Sequence, residues 1–172
     1  MFRTLIASLV LLATACSPAP QQGNASSVAA PVQRIESVSV SQPPAPGSPA
    51  AAVDAFAAAL RAGDQVAVQR LLAPDVLIAE SGGAERSFAE YAEHHLPADM
   101  AFTAAVQFAL ERREVIESGD TATVISQSRV EGAFHGRPIH SRSMETMVLR
   151  REDNAWRIVH IHWSSAPIGD EH

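Results

Sequence analysis

The strongest constraint on the fold lies in the second half of the chain, where long strand-like runs follow one another with only short turns between them. Thr121 to Phe134 reads as one strand and Ile139 to Arg151 as the next, with Trp156 to Ser164 as the last. The breaks are His135-Gly136-Arg137-Pro138 and Glu152-Asp153-Asn154, both rich in turn-forming residues. A further strand is expected within Thr103 to Glu117, ahead of the turn Ser118-Gly119-Asp120. Connections this short allow only an antiparallel meander, because a parallel neighbour needs a crossover of a dozen or more residues.

The segment before the meander is helical. Val53, Phe56, Ala57 and Leu60 recur at the spacing of one helix face, with Ser48-Pro49 as a start signal and Gly63 as a stop. Asp64 caps a second short helix with Val68, Leu71 and Leu72 inward, ended by Pro74. Asp75 to Ser81 reads as a strand. Ser87 with Glu90 forms a capping box for a third helix, whose inner face carries Phe88, Tyr91 and His95 and which Pro97 is expected to end. Helices first and an antiparallel sheet after is an α+β arrangement.

The N-terminus looks like an export signal. Phe2-Arg3 precedes an apolar run to Thr14 that is shorter than the roughly 20 residues needed to span a bilayer. It closes on Ala13-Thr14-Ala15-Cys16, which resembles a bacterial lipobox, and Cys16 is the only cysteine. The reading is a signal peptide over 1–15, a lipid on Cys16, and an outer-membrane location facing the periplasm. Residues 16–49 hold seven of the 11 prolines and read as a disordered tether, in which Val38 and Val40 alternate with serines but have no strand partner. The folded domain is placed at 50–168 and a tail at 169–172.

Composition removes several function classes. The net charge of −6 opposes nucleic-acid binding, which needs basic surface. All 13 basic residues are arginine, so lysine Schiff-base chemistry is absent, and one cysteine forms neither an internal disulfide nor a multi-cysteine zinc site. No pattern calls for a cofactor.

The helix-helix-strand opening, the Gly136-Arg137-Pro138 hairpin, the Glu145–Arg151 strand and the closing run Trp156-Arg157-Ile158-Val159-His160-Ile161-His162-Trp163-Ser164 together resemble a SnoaL-like domain of the nuclear transport factor 2-like superfamily. The resemblance covers residues 50–167. It implies a cone in which N-terminal helices pack on a curved antiparallel sheet around a pocket, and dimers formed through the sheet. It implies no single chemistry, because the fold hosts isomerases, cyclases, dehydratases and binders. The catalytic residues of ketosteroid isomerases have no clear equivalents here.

Strand parity then suggests a site. With a two- or four-residue loop, Met147 and Leu149 share a face with Trp156, Ile158, His160 and His162, and Glu145 lands across from His160 or His162. His95 joins them by helix arithmetic. The expected pocket is therefore lined by Phe88, His95, Met147, Trp156 and Ile158, with Glu145, His160 and His162 as catalytic candidates. Three readings stay open: a buried polar network, a ligand or active site with Glu145 or a histidine as general base, and a histidine metal site. The opposite face, with Val159, Ile161 and Trp163, is the expected homodimer surface. Glu80 reads as a solvated acid that could reach the pocket mouth, and Asp75, Asp99, His135, His140 and the Arg112-Arg113 pair read as solvated or capping groups. The expected partner is a small molecule.

Overall fold

The computed structural model describes residues 33–38 and 42–169. The signal peptide, Cys16 and the last three residues lie outside the described residues. Strand β1 (Gln33–Val38) comes first, then helices α1 (Pro49–Ala62) and α2 (Gln65–Leu71), strands β2 (Leu72–Glu80) and β3 (Gly83–Glu85), and helices α3 (Phe88–His94) and α4 (Leu96–Ala105). Strands β4 (Val106–Ser118), β5 (Thr121–Phe134), β6 (Arg137–Glu152) and β7 (Ala155–Pro167) complete the chain. The strands form one sheet in the order β1-β4-β5-β6-β7-β2-β3, antiparallel except where β2 runs parallel to β7. The long connection from β2 to β7, through β3, α3, α4 and β4–β6, makes that parallel contact topologically possible.

The caps are local. The Ser48 hydroxyl accepts from the Ala51 N–H at 3.2 Å, and Gly63 closes α1 in the left-handed region at φ 68°. Asp64 accepts from Ala67 N–H, and Ser87 from Glu90 N–H. Three elements differ from expectation. Pro97 begins α4 instead of ending α3, since a proline in the first helical turn loses no intrahelical bond; strand β4 accordingly starts only at Val106. The short β3 is an additional edge. Gln33–Val38 is a paired strand and not tether: it lies antiparallel to β4, with Val38 opposite Arg113 and Gln33 opposite Glu117.

The core fills the half of the sheet nearest the β4–β5 and β6–β7 turns. Val53, Phe56 and Leu60 of α1 and Val68 of α2 pack on Val124, Met147, Leu149, Trp156, Ile158 and Ile161. Tyr91 is fully buried from the α3 side. At the other half, the helices stand away from the sheet.

One extra residue in β7 decides which side chains face the helices. The β6–β7 loop is the two-residue turn Asp153-Asn154, with φ of 48° and 64°, and it pairs Leu149 with Ile158. The next pair is Val148 with His160, so Val159 is inserted as a bulge. Beyond it the alternation flips. Ile161 and Trp163 now lie inward beside Met147 and Glu145, and His160 and His162 lie outward beside Val148 and Thr146. Burial agrees: Ile161 is 0% exposed, whereas His162 is exposed. A second bulge in β4, at Glu111, brings Leu110 and Arg113 onto one face. Bulges bend the strands that carry them, which curves the sheet over the helices.

Candidate functional site

Where α1 and α4 part from the sheet they leave a cavity of about 450 Å³. Its helical wall includes Phe56, Ala57, Leu60 and Arg61 of α1 and Asp99, Phe102 and Thr103 of α4. Its sheet wall is built in rungs, because side chains at matched positions of neighbouring strands stand side by side. One rung reads Glu80–Trp163–Glu145–Ser126–Arg113 across β2, β7, β6, β5 and β4. The next reads Ser165–Ser143–Ser128–Leu110, and a third carries Ser141, Val130 and Phe108. The wall is therefore polar along β6 and aromatic or aliphatic toward β4 and α4. Phe102 makes edge-on contacts with Phe108 and Phe134 at the far end.

Two arrangements hold the first rung. The Trp163 indole Nε1–H donates to Glu145 Oε2 at 2.9 Å, and the indole stacks on Phe56 with ring centroids 6.5 Å apart. Arg113, only 7% exposed, donates through Nη1 to Asp54 Oδ1 at 2.7 Å and through Nε to Ser126 Oγ at 3.2 Å. That pair ties α1 to β4 and cancels the guanidinium charge locally. Burial raises the Glu145 carboxyl above the usual glutamate range, against the opposing pull of the Trp163 hydrogen bond and the Arg113 charge.

A second acidic group stands at the β2 side. The Tyr91 hydroxyl donates to Asp99 Oδ2 at 2.7 Å, and burial raises the Asp99 carboxyl while that bond lowers it. Glu80, exposed at the rim, is raised by desolvation and then by the Asp99 charge. The Tyr91 phenol is held protonated by its burial and by Asp99.

The expected site residues separate in this structure. Glu145 lines the cavity. His160 and His162 do not: the Val159 bulge turns them to the outer face, where His160 Nδ1 lies 2.8 Å from the Leu77 carbonyl oxygen. His95 lies outside the cavity as well. The helix it was counted on ends at His94, and the His95 side chain, 60% exposed, contacts Glu85 at the α3–α4 junction. Met147, Trp156 and Ile158 are buried core beneath the cavity, and Phe88 is half-buried against that core. The convergence of His95, Glu145, His160 and His162 is thus corrected, and with it the four-ligand metal arrangement; among the described residues no three His, Cys, Asp or Glu side chains are placed to share an ion. Ile161 and Trp163 are likewise inside, not on the expected dimer face. Arg113 and Asp99, expected to be solvated or capping, line the cavity. Alternating Ser126/Ser128 and Ser141/Ser143/Glu145 was a visible polar stripe in the sequence, and it marked the cavity wall.

Comparisons with known proteins agree with this architecture. The profile of the SnoaL-like domain matches residues 50–169. A crystal structure of a candidate ketosteroid isomerase from Shewanella frigidimarina is 40% identical, with a TM-score of 0.64, over 66% of this chain and 91% of that one. The kinase hub of S. rosetta (CaMKII) is 26% identical with a TM-score of 0.57, over 72% of this chain and 100% of that one. A nuclear transport factor 2-like protein from Salmonella enterica is 19% identical with a TM-score of 0.57, over 69% and 87%, and shares the fold. No curated protein matches. The chain belongs to the SnoaL-like domain family.

Proposed function

We propose that this chain is a lipid-anchored protein of the bacterial envelope whose SnoaL-like domain binds a small, partly apolar molecule in the cavity of its concave face. The observation that carries the reading is the cavity itself, with aromatic side chains on one wall and serines with Glu145 on the other. Apolar walls supply affinity and a few placed polar groups orient the ligand. The lipobox ending at Cys16 supports the anchor and a periplasm-facing outer-membrane location. The outer sheet face, with Val148, Thr146, Leu77 and Met144, is the surface proposed for a homodimer in place of the one expected from sequence.

A second reading is favoured by the raised Glu145 carboxyl and by the similarity to the candidate ketosteroid isomerase. In it the domain is an enzyme of the isomerase, cyclase or hydrolase type. For an isomerase, Glu145 accepts a proton from the carbon beside a carbonyl and returns it to a second carbon, so the carboxylate is regenerated in each turnover.

Thermal denaturation with a panel of neutral cyclic ketones and alcohols tests the binding reading. A ligand that favours the folded state raises the melting temperature, and Ser143→Phe, which fills the cavity, is expected to abolish the rise. No rise with any compound, or an equal rise in the variant, contradicts it. Turnover of a β,γ-unsaturated 3-ketosteroid to the conjugated ketone, lost in Glu145→Gln, separates enzyme from binder.

A further inference from the structure

The charges in the cavity are not balanced. Four carboxyl groups line it, from Asp54, Glu80, Asp99 and Glu145, and two guanidinium groups, from Arg61 and Arg113. Arg113 is already committed to Asp54 at 2.7 Å. The remaining three carboxyls make no ion pair among the described residues. The bonds they do make come from neutral donors, the Trp163 indole to Glu145 and the Tyr91 phenol to Asp99. The His95 charge acts on both Glu80 and Asp99, but its imidazole is engaged with Glu85.

The geometry adds an aromatic surface to this charge. Glu80 and Glu145 are the cross-strand neighbours of Trp163 on its two sides, so the carboxyl-bearing backbones are separated by two strand spacings, roughly 9–10 Å. A ring flanked by two carboxyls, in a cavity walled by Phe102 and Phe108, suits a cation with an apolar body. An ammonium group is attracted both by the face of an indole and by the flanking charges. The three unpaired carboxyls outnumber the one guanidinium not held by a carboxylate, that of Arg61, so the cavity disfavours an anionic ligand, and a neutral one would desolvate the carboxyls with no charge in return.

We propose that the cavity takes an organic ammonium ion carrying an apolar body, with its charge seated at the Glu80–Trp163–Glu145 rung and its body toward Phe102 and Phe108. This rests on the cavity being a ligand site, and it names the ligand's class. Glu80 at the rim and the half-buried Asp99 attract the cation, Trp163 and Glu145 hold it, and Phe56 stacks on the indole from α1.

Calorimetric titration of the full chain in detergent solution with three probes of similar size tests it: phenyltrimethylammonium, 2-phenylpropan-2-ol and phenylacetate. The quaternary ion keeps its charge at every pH. The expected order is ammonium tightest and phenylacetate weakest, with Glu80→Gln weakening the ammonium by about tenfold and leaving the alcohol unchanged, and Glu145→Gln weakening the ammonium more than it weakens the alcohol. Glu80 is exposed, so its substitution leaves the core intact and the test does not depend on the buried variant folding. Equal binding of ammonium and alcohol, preference for phenylacetate, or ammonium binding indifferent to Glu80→Gln overturns the proposal while leaving the cavity a ligand site. Failure of all three probes to bind, combined with no thermal stabilisation by neutral ketones or alcohols, overturns the ligand-site reading as well.

Discussion

Glu145 and Trp163 face each other across β6 and β7, joined by a 2.9 Å hydrogen bond from indole to carboxyl. They meet only because Val159 is inserted into β7. Without it, Trp163 would stand on the outer face and His162 would take its place.

That dependence can be tested by removing the insertion. Deleting Val159 sends Ile161 and Trp163 to the outer face or forces the bulge elsewhere, whereas Val159→Ala keeps the residue count. The deletion is expected to abolish the cooperative melting transition, and Val159→Ala to lower its midpoint by only a few degrees at about 1 kcal/mol or less. Circular dichroism melts of both variants decide.

The Glu145 carboxyl is raised by burial. A group raised in the folded state stabilises the fold while it is protonated, below the ordinary glutamate range, and that contribution is lost as pH rises through the folded value. Glu145→Gln stays neutral and still offers an acceptor to Trp163. The variant is expected to melt above the parent at about pH 7.5, with the difference shrinking toward about pH 4. A constant difference across that window contradicts the assignment.

Arg113 and Asp54 differ in burial, at 8% and 46% side-chain exposure, so their removal is not symmetric. Asp54→Ala leaves a guanidinium buried without its carboxylate and is expected to cost about 1–3 kcal/mol. Arg113→Met preserves volume and frees a carboxylate that water can reach, so it is expected to cost less. Urea denaturation midpoints give the order, and the reverse order would show that the pair does not hold α1 to β4.

The proposed dimer surface predicts that Val148→Asp yields a folded monomer by light scattering. Ile161→Asp, at a fully buried position, is expected to unfold the domain. Retention of the dimer by Val148→Asp removes the outer face from consideration.

The lipid anchor predicts that Cys16→Ala leaves an unprocessed precursor of higher mass and changes membrane partition. Identical processing and fractionation of the two forms would argue for an ordinary signal sequence.

The sequence by itself determined the elements whose signals are local. Ser48, Gly63, Asp64 and Ser87 mark helix ends through their own side-chain or backbone chemistry, and the long strands from Thr121 onward are bounded by turn residues whose conformations need no tertiary partner. The order of those elements indicated an α+β arrangement, and the resemblance carried by the hairpin and the closing strand implied the cone. Only the tertiary structure decided which face each strand presents, because parity is counted from a turn and one inserted residue reverses everything beyond it. Val159 and Glu111 are residues that an unbroken strand carries equally well, so nothing local announces a bulge. The same limit applies to Pro97, which ends or begins a helix according to the packing of Leu96 and Tyr91, and to Gln33–Val38, which becomes a strand because β4 offers an edge. Glu145 was legible as a site residue because β6 carries no insertion, so its parity with Met147 and Leu149 holds along the strand. Its partners Trp163, Ser126 and Arg113 were fixed by register across three other strands, a relation that no stretch of sequence contains.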